Sequence, residues 1–177
     1  MSAPATLGDW IGAAEAAVTE VATTALACGS VHTAAGSERA PQSLFGAYVP
    51  LVAAGCQVQI GVVAEWEACQ ALARALFGMD PGAELEADSD VSDALGEIAN
   101  MVAGCVKTRM NERTPGLNTG LPLCVTGHVE PSAGAEHASV ALYFDDVLAS
   151  VRVLLSPSGD PVSIRSRAQA RAGARGA

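Results

Sequence analysis

Apolar residues recur along this chain at two different periods, and the switches between them mark out its elements. Ile11, Ala14, Val18, Val21 and Leu26 form a helical stripe. This predicts a helix over Trp10–Ala27, with Asp9 as N-cap and Cys28-Gly29 as its stop. Val31 to Leu44 holds Ser, Gly and Pro without a clear period and is expected to be irregular or weakly extended. From Phe45 to Ala64 the period becomes two. Val58, Ile60 and Val62 alternate with Gln57, Gln59 and Gly61, and Ala54-Gly55 breaks the run. A β-hairpin is predicted, about Ala47–Ala53 then Cys56–Ala64, with Pro50 favouring an edge position or a bulge in the first strand.

Helical spacing returns over Glu65–Phe77, with Ala68, Leu72, Ala75 and Leu76 inward and Gly78 as C-cap. After an acidic turn at Met79–Asp88, a longer helix is predicted from about Ser89 through Met110. Asp88, Ser89 and Asp90 suit the positive end of its dipole, and Lys107, Arg109 and Arg113 the negative end. Glu112 to Gly120 reads as a loop, Leu121 to Val129 as extended, and Pro131 to Ala135 as a turn. His137–Phe144 and Val147–Leu155 read as a second hairpin across Asp145-Asp146. Leu148 and Leu154 interrupt the polar side of its last strand, which predicts a strand covered on both faces.

The long helix carries the candidate chemistry. Val91, Leu95, Ile98, Val102 and Cys105 step by four, three, four and three onto one side. Asp93, Glu97, Asn100 and Gly104 fall on the other, within an arc of roughly 60° at 100° per residue. No Lys or Arg follows on this helix until Lys107. Its small neighbours are expected to leave Glu97 and Asn100 clear of the surface. Taken by spacing alone, the strip is first of all the ordinary polar face of an amphipathic helix.

Composition narrows the classes. The formal charge is −9, which argues against a nucleic-acid binder. Aromatic residues make up only 4%, so the core must be built from Ala, Val and Leu. Cys28, Cys56, Cys69, Cys105 and Cys124 include no Cys-x-x-Cys pair and read as reduced, mostly buried thiols. With His32, His128 and His137 they form no usual zinc spacing, so no metal is expected. No basic signal-peptide region opens the sequence, and no apolar run reaches the ~18 residues of a membrane span. The expectation is a cytoplasmic protein that binds neither nucleic acid nor membrane. Beyond Ser156 the composition turns to Pro, Gly, Ser, Ala and Arg, with Arg165, Arg167, Arg171 and Arg175. Residues 157–177 are expected to be a disordered basic tail and residues 1–156 the folded domain.

The run Asp93-Ala-Leu-Gly-Glu97-Ile-Ala-Asn100-Met-Val-Ala-Gly104 resembles the CheX branch of the CheC/CheX/FliY chemotaxis phosphatases. It carries Glu-x-x-Asn preceded by an acidic residue at the family's Asp/Ser position. The later segment Leu121-Pro-Leu-Cys-Val-Thr-Gly127 is also similar to the family's segment after the active helix, proline included. The resemblance covers roughly Asp9 to Ser156. It implies an α/β (α+β) fold, a CheC/CheX-like pseudo-repeat of helices packed on an antiparallel sheet, with Trp10–Ala27 as the repeat of the long helix. The first helix has no Glu-x-x-Asn, since Val18 follows Glu15 and Thr23 follows Glu20. A single site is the CheX pattern.

The implied activity is removal of the phosphoryl group from an aspartate of a CheY-like receiver domain. Asn100 would orient the attacking water, Glu97 would anchor the receiver's active-site lysine, and Asp93 and Gly104 would contact the partner. A carboxamide suits the first role because it accepts and donates hydrogen bonds while staying neutral beside a phosphoryl anion. A carboxylate suits the second through a charge-assisted bond to lysine. No cofactor is expected from this chain; Mg²⁺ belongs to the partner receiver. A homodimer formed by strand pairing is compatible with an exposed strand edge. The alternative is a CheX-like module that docks a receiver or sensor domain without turnover. No phosphate-binding glycine loop and no Ser-His-Asp set can be assembled.

Overall fold

The structure is a computed structural model and describes residues 4–34, 44–131, 134–156 and 164–167. Its helices are α1 (Leu7–Thr24), α2 (Trp66–Leu76) and α3 (Asp88–Met110). Its strands are β1 (Val31–Thr33), β2 (Phe45–Ala53), β3 (Cys56–Ala64), β4 (Asn118–Thr119), β5 (Leu123–Thr126), β6 (His128–Pro131), β7 (Glu136–Phe144), β8 (Val147–Ser156) and β9 (Ile164–Arg167). Among the described residues seven strands form one antiparallel sheet in the order β1-β7-β8-β3-β2-β4, with β5 also beside β2. The three helices pack on it, and α1 lies against α3 as the expected repeat partner.

The period-two runs become the central strands. β2 and β3 pair from Phe45↔Ala64 to Ala53↔Cys56, and Gly55 takes φ 73° in the turn. β8 sits between β3 and β7. Val151, Val153 and Leu155 join the core under the helices, while Leu154 packs on the opposite face with Tyr48, Val63 and Val125. The both-faces-covered reading of this strand therefore holds. Pro50 does not sit on a free edge. β2 has an outer partner on each side of it, β5 up to Tyr48 and β4 from Leu51. The outer ladder skips Val49 and Pro50, and Gly120 N–H donates to the Pro50 carbonyl at 2.9 Å. The missing N–H of proline thus faces the gap, where no ladder bond is lost.

Several boundaries move for identifiable reasons. Helix α1 starts three residues early because Thr6, not Asp9, is its N-cap. Asp9 N–H donates to Thr6 Oγ1 at 3.3 Å and Asp9 Oδ2 accepts from Thr6 N–H at 2.9 Å, a reciprocal capping box. The helix ends at Thr24, and Ala27 then turns the chain with φ 51°. Trp10, which lay outside the stripe read from sequence, is wholly buried. Within the segment expected to be irregular, Val31–Thr33 pairs with β7; residues 35–43 lie outside the described residues. The extended run after Pro122 splits into β5 and β6 at Gly127, whose φ is 94°.

Part of the expected tail is corrected as well. Ile164–Arg167 pairs antiparallel with His128–Pro131, Glu130 in register with Arg165. Backbone pairing needs donors and acceptors rather than core-forming side chains, so a composition poor in apolar residues did not preclude it. Residues 157–163 and 168–177 lie outside the described residues. All five cysteines are free, but only Cys69 is buried; Cys124 is exposed and the others are half-buried. Burial pushes the Cys69 thiol up to about 12.

α3 is the helix on which the sheet edge and the other helices converge. Val91, Leu95, Ile98, Val102 and Val106 are buried, and so are Ala94, Ala99 and Ala103. The small residues let neighbouring elements come close on the flanks. The expected stripe is therefore the centre of a wider buried surface, of which Cys105 is only the half-buried margin. Asp90 accepts from Ala87 N–H at 3.0 Å and holds the first turn.

The packing and the capping bonds fix the expected outcome of four substitutions. A Cβ at Gly46 would clash with the Val62 carbonyl oxygen, which is backbone and cannot swing away. Gly46→Ala should destabilise by about 1–3 kcal/mol, read as a lower urea midpoint at unchanged slope; an unchanged midpoint contradicts the close approach. Leu95→Asp should unfold the domain, since an unpaired buried carboxylate costs several of the about 5–15 kcal/mol available. Asp93→Ala, on the exposed face, should melt like the parent, and equal melts for the two variants would mean that the faces are reversed. Asp145 caps the chain entering β1: it accepts from Gly29 N–H at 3.2 Å and from Ser30 N–H at 2.8 Å. These bonds hold its carboxyl below the usual value of 3.8. The ionised form therefore adds stability above the unfolded pKa, which is lost as pH falls through the lower folded value. Asp145→Ala should show a smaller drop in Tm than the parent between about pH 5 and about pH 2.

Candidate functional site

The exposed part of α3 is a narrow strip. Asp93, Glu97 and Gly104 are exposed and Asn100 is half-buried between them. Successive steps of four, three and four residues keep them on one face, so the structure brings together all four residues expected there. Asn100 stands less clear than its small neighbours suggested. Those neighbours, Gly96, Ala99 and Ala103, are themselves buried and admit adjoining chain on that flank.

Two flanks frame the strip. On one, the segment leading into β5 runs beside the helix. Cys124 Sγ lies 3.5 Å from the Ser92 carbonyl oxygen that accepts its hydrogen bond, and a Cβ at Gly96 would meet Pro122 at 3.7 Å. Contacts two residues apart in the extended segment thus match contacts four apart in the helix. The two rises, roughly 6.6 and 6 Å, are nearly equal. Pro122 and Cys124 turn toward α3, and Leu121, 87% exposed, projects from the rim. On the other flank stands α1. Between α1 and α3 runs a groove of about 440 Å³ lined by Val21, Thr24, Met101, Gly104 and Cys105 and bordered by the Glu20–Arg109 ion pair. A further cleft of about 470 Å³ opens at the N-terminal end of α3, between Phe45, Trp66, Ser92 and Cys124.

Charge on the strip is of one sign. Asp88, Asp90, Asp93 and Glu97 precede the first cation of the helix, Lys107. Arg109 is tied to Glu20 and Arg113 to Asp9. The Cys124 thiol is raised first by burial and then by the nearby Asp93 charge, so it is not an activated nucleophile. Asp93, Glu97 and Asn100 make no side-chain hydrogen bond or ion pair among the described residues. The glutamates of α1, by contrast, are occupied: Glu15 accepts from Thr33 Oγ1 at 3.0 Å, and Glu20 holds Arg109. Among the described residues no group of three or more His, Cys, Asp and Glu is gathered to hold a metal. Nor is any helix there long and apolar enough to cross a membrane.

The flanks are what sequence reasoning missed. Pro122 was noted only within a family-like segment, and its contact with Gly96 had no local signal. The small residues at positions 96, 99 and 103 were the available hint that another chain segment lies close there.

Known proteins share this architecture. The family model described as chemotaxis phosphatase CheX matches residues 46–145, more than half of the chain. The CheX crystal structure from Vibrio vulnificus superposes with TM-score 0.68 at 16% identity, over 85% of this chain and 99% of that one. CheX from Desulfovibrio desulfuricans gives 0.64 at 17% identity, over 83% and 99%. A chain of the CheX-CheY-BeF3-Mg²⁺ complex from Borrelia burgdorferi gives 0.65 at 15% identity, over 83% and 97%. At such identities these structures speak to the fold alone. No curated protein sequence matches the chain significantly. With a family model over most of the helix-and-sheet core, and Glu97 and Asn100 inside the matched region, the chain belongs to the CheX family of chemotaxis phosphatases.

Proposed function

We propose that this protein hydrolyses the aspartyl phosphate of a CheY-like response-regulator receiver, and that the strip Asp93–Gly104 of α3 is the surface that does so. The observation that carries the reading is the free state of Asp93, Glu97 and Asn100. Among the described residues, these three polar side chains on a rigid, well-buried helix make no side-chain bond, while the acids of α1 do. Groups held on a packed helix and left unpaired suit a partner that brings the missing charges. The Borrelia burgdorferi structure named above pairs CheX with CheY, BeF3 and Mg²⁺, and a receiver is the partner carried over here.

The chemistry asks little covalent work of this chain. A water oxygen attacks phosphorus, the bond from phosphorus to the aspartyl oxygen breaks, and inorganic phosphate and a free carboxylate result. One water proton passes to the phosphate or to solvent. Asn100 accepts a hydrogen bond from that water and holds it in line; its neutrality avoids repulsion from the phosphoryl group. Glu97, one turn away, pairs with the receiver lysine through a charge-assisted bond and sets the docked position. Asp93 extends the acidic contact by a further turn. The Mg²⁺ beside the phosphoryl group belongs to the receiver, and the reaction takes place in the cytoplasm with such a partner. Residues 1–156 are the phosphatase domain in this reading.

The two substitutions should fail differently. Asn100→Ala should lower turnover on the order of 100-fold, the scale of lost positioning, while receiver binding stays near the parent value. Glu97→Ala should weaken docking as well as rate. Phosphate release at saturating and sub-saturating concentrations, beside a direct binding titration, separates them. Normal turnover by Asn100→Ala removes the catalytic assignment. Binding by the parent with an unchanged phosphoryl lifetime favours a docking module without turnover.

A further inference from the structure

Gly104 lies on the exposed strip one turn beyond Asn100, and nothing in the fold asks for glycine there. It is in the interior of α3, its φ is not left-handed, and a Cβ built on it would meet no atom within 4 Å. Glycine inside a helix is less favourable than alanine, because it loses more conformational freedom on folding. Gly96, on the same helix, differs: its face is occupied by Pro122. Gly104 therefore weakens the helix without any return inside the chain.

The return is outside it. The strip offers only four residues, whereas a specific interface buries about 800 Å² on each partner. The contact must spread onto a flank. Gly104 is the point where the strip opens sideways into the α1–α3 groove, whose floor is Val21, Met101 and Cys105. A side chain at position 104 would stand between Asn100 and that groove. The acidic strip calls for a cationic partner surface, as a receiver lysine provides.

We infer that Gly104 is a clearance position. Its missing side chain lets the receiver surface that carries the phosphoryl group close on Asn100 and enter the α1–α3 groove. The inference rests on the receiver-phosphatase reading and adds the route by which the receiver approaches. Gly104 is a positioning residue and touches no reacting atom.

The test uses the full chain with Gly104→Ala, Gly104→Leu and, as control, Gly12→Ala. Gly12 is an exposed glycine of α1 with equally open surroundings. Each variant is melted and titrated against the source organism's receiver domains held in the beryllofluoride-activated state with Mg²⁺. Phosphate release from the phosphorylated receivers is measured in parallel. Both alanine variants should raise Tm by about 2 °C. Gly12→Ala should bind as the parent does. Gly104→Ala should raise KM several-fold, and Gly104→Leu should weaken receiver binding about tenfold or more, since a built-in clash acts against the docked state only. Parent-like binding by Gly104→Leu overturns the inference and leaves the phosphatase reading standing. A lower Tm for Gly104→Ala also overturns it, because the glycine would then be structural. If the parent binds activated receivers without turnover and Gly104→Leu binds them weakly, the clearance role stands and the catalytic reading falls. If the parent binds no receiver, both fall together.

Discussion

The packing of α3 against sheet and neighbouring helix is the constraint on which the rest depends. This helix buries Val91, Leu95, Ile98, Val102 and Val106, and its alanines let neighbours approach on both sides. Little of its circumference is left, and that remainder is the strip from Asp93 to Gly104. Deep burial fixes the helix in rotation and translation, since cores packed at this density do not deform continuously. Side chains on such an element point in defined directions, which loops cannot guarantee. The water-positioning role proposed for Asn100 would need that rigidity more than it needs unusual pKa values.

Legibility in the sequence followed the range of the interaction. The β2–β3 and β7–β8 hairpins were readable because alternation and turn residues are local. The two-sided burial of β8 was readable from Leu148 and Leu154, which interrupt its polar side. α3 and its two faces were readable from spacing. Interactions between distant residues were not. The packing of Pro122 on Gly96 and the bond from Cys124 to Ser92, which lies 32 residues away, leave no periodic trace. The N-cap of α1 was misplaced for a subtler reason. Thr6 and Asp9 form a reciprocal pair, and either residue type suits the capping position. Ile164–Arg167 was hidden because pairing with His128–Pro131 draws on backbone groups that every composition supplies. At the site, the four strip residues were visible and the walls beside them were not.

The two repeat-related helices dispose of their acidic side chains differently. α1 and α3 lie side by side on the same sheet, and both carry acids on solvent-facing turns. In α1 the acids are used inside the molecule: Asp9 closes the capping box and meets Arg113, Glu15 meets Thr33, and Glu20 meets Arg109. Those exposed pairs contribute little stability individually. Their more definite consequence is geometric. Arg109 and Arg113, both at the C-terminal end of the α3 region, are drawn toward α1 and away from the strip. Among the described residues no cation pairs with Glu97, which leaves its carboxylate available to one brought from outside. Specificity at such a surface depends as much on keeping internal partners away as on presenting the right groups. The Glu20–Arg109 pair between α1 and α3, and the Asp9–Arg113 pair just beyond α3, would serve that end at the proposed surface.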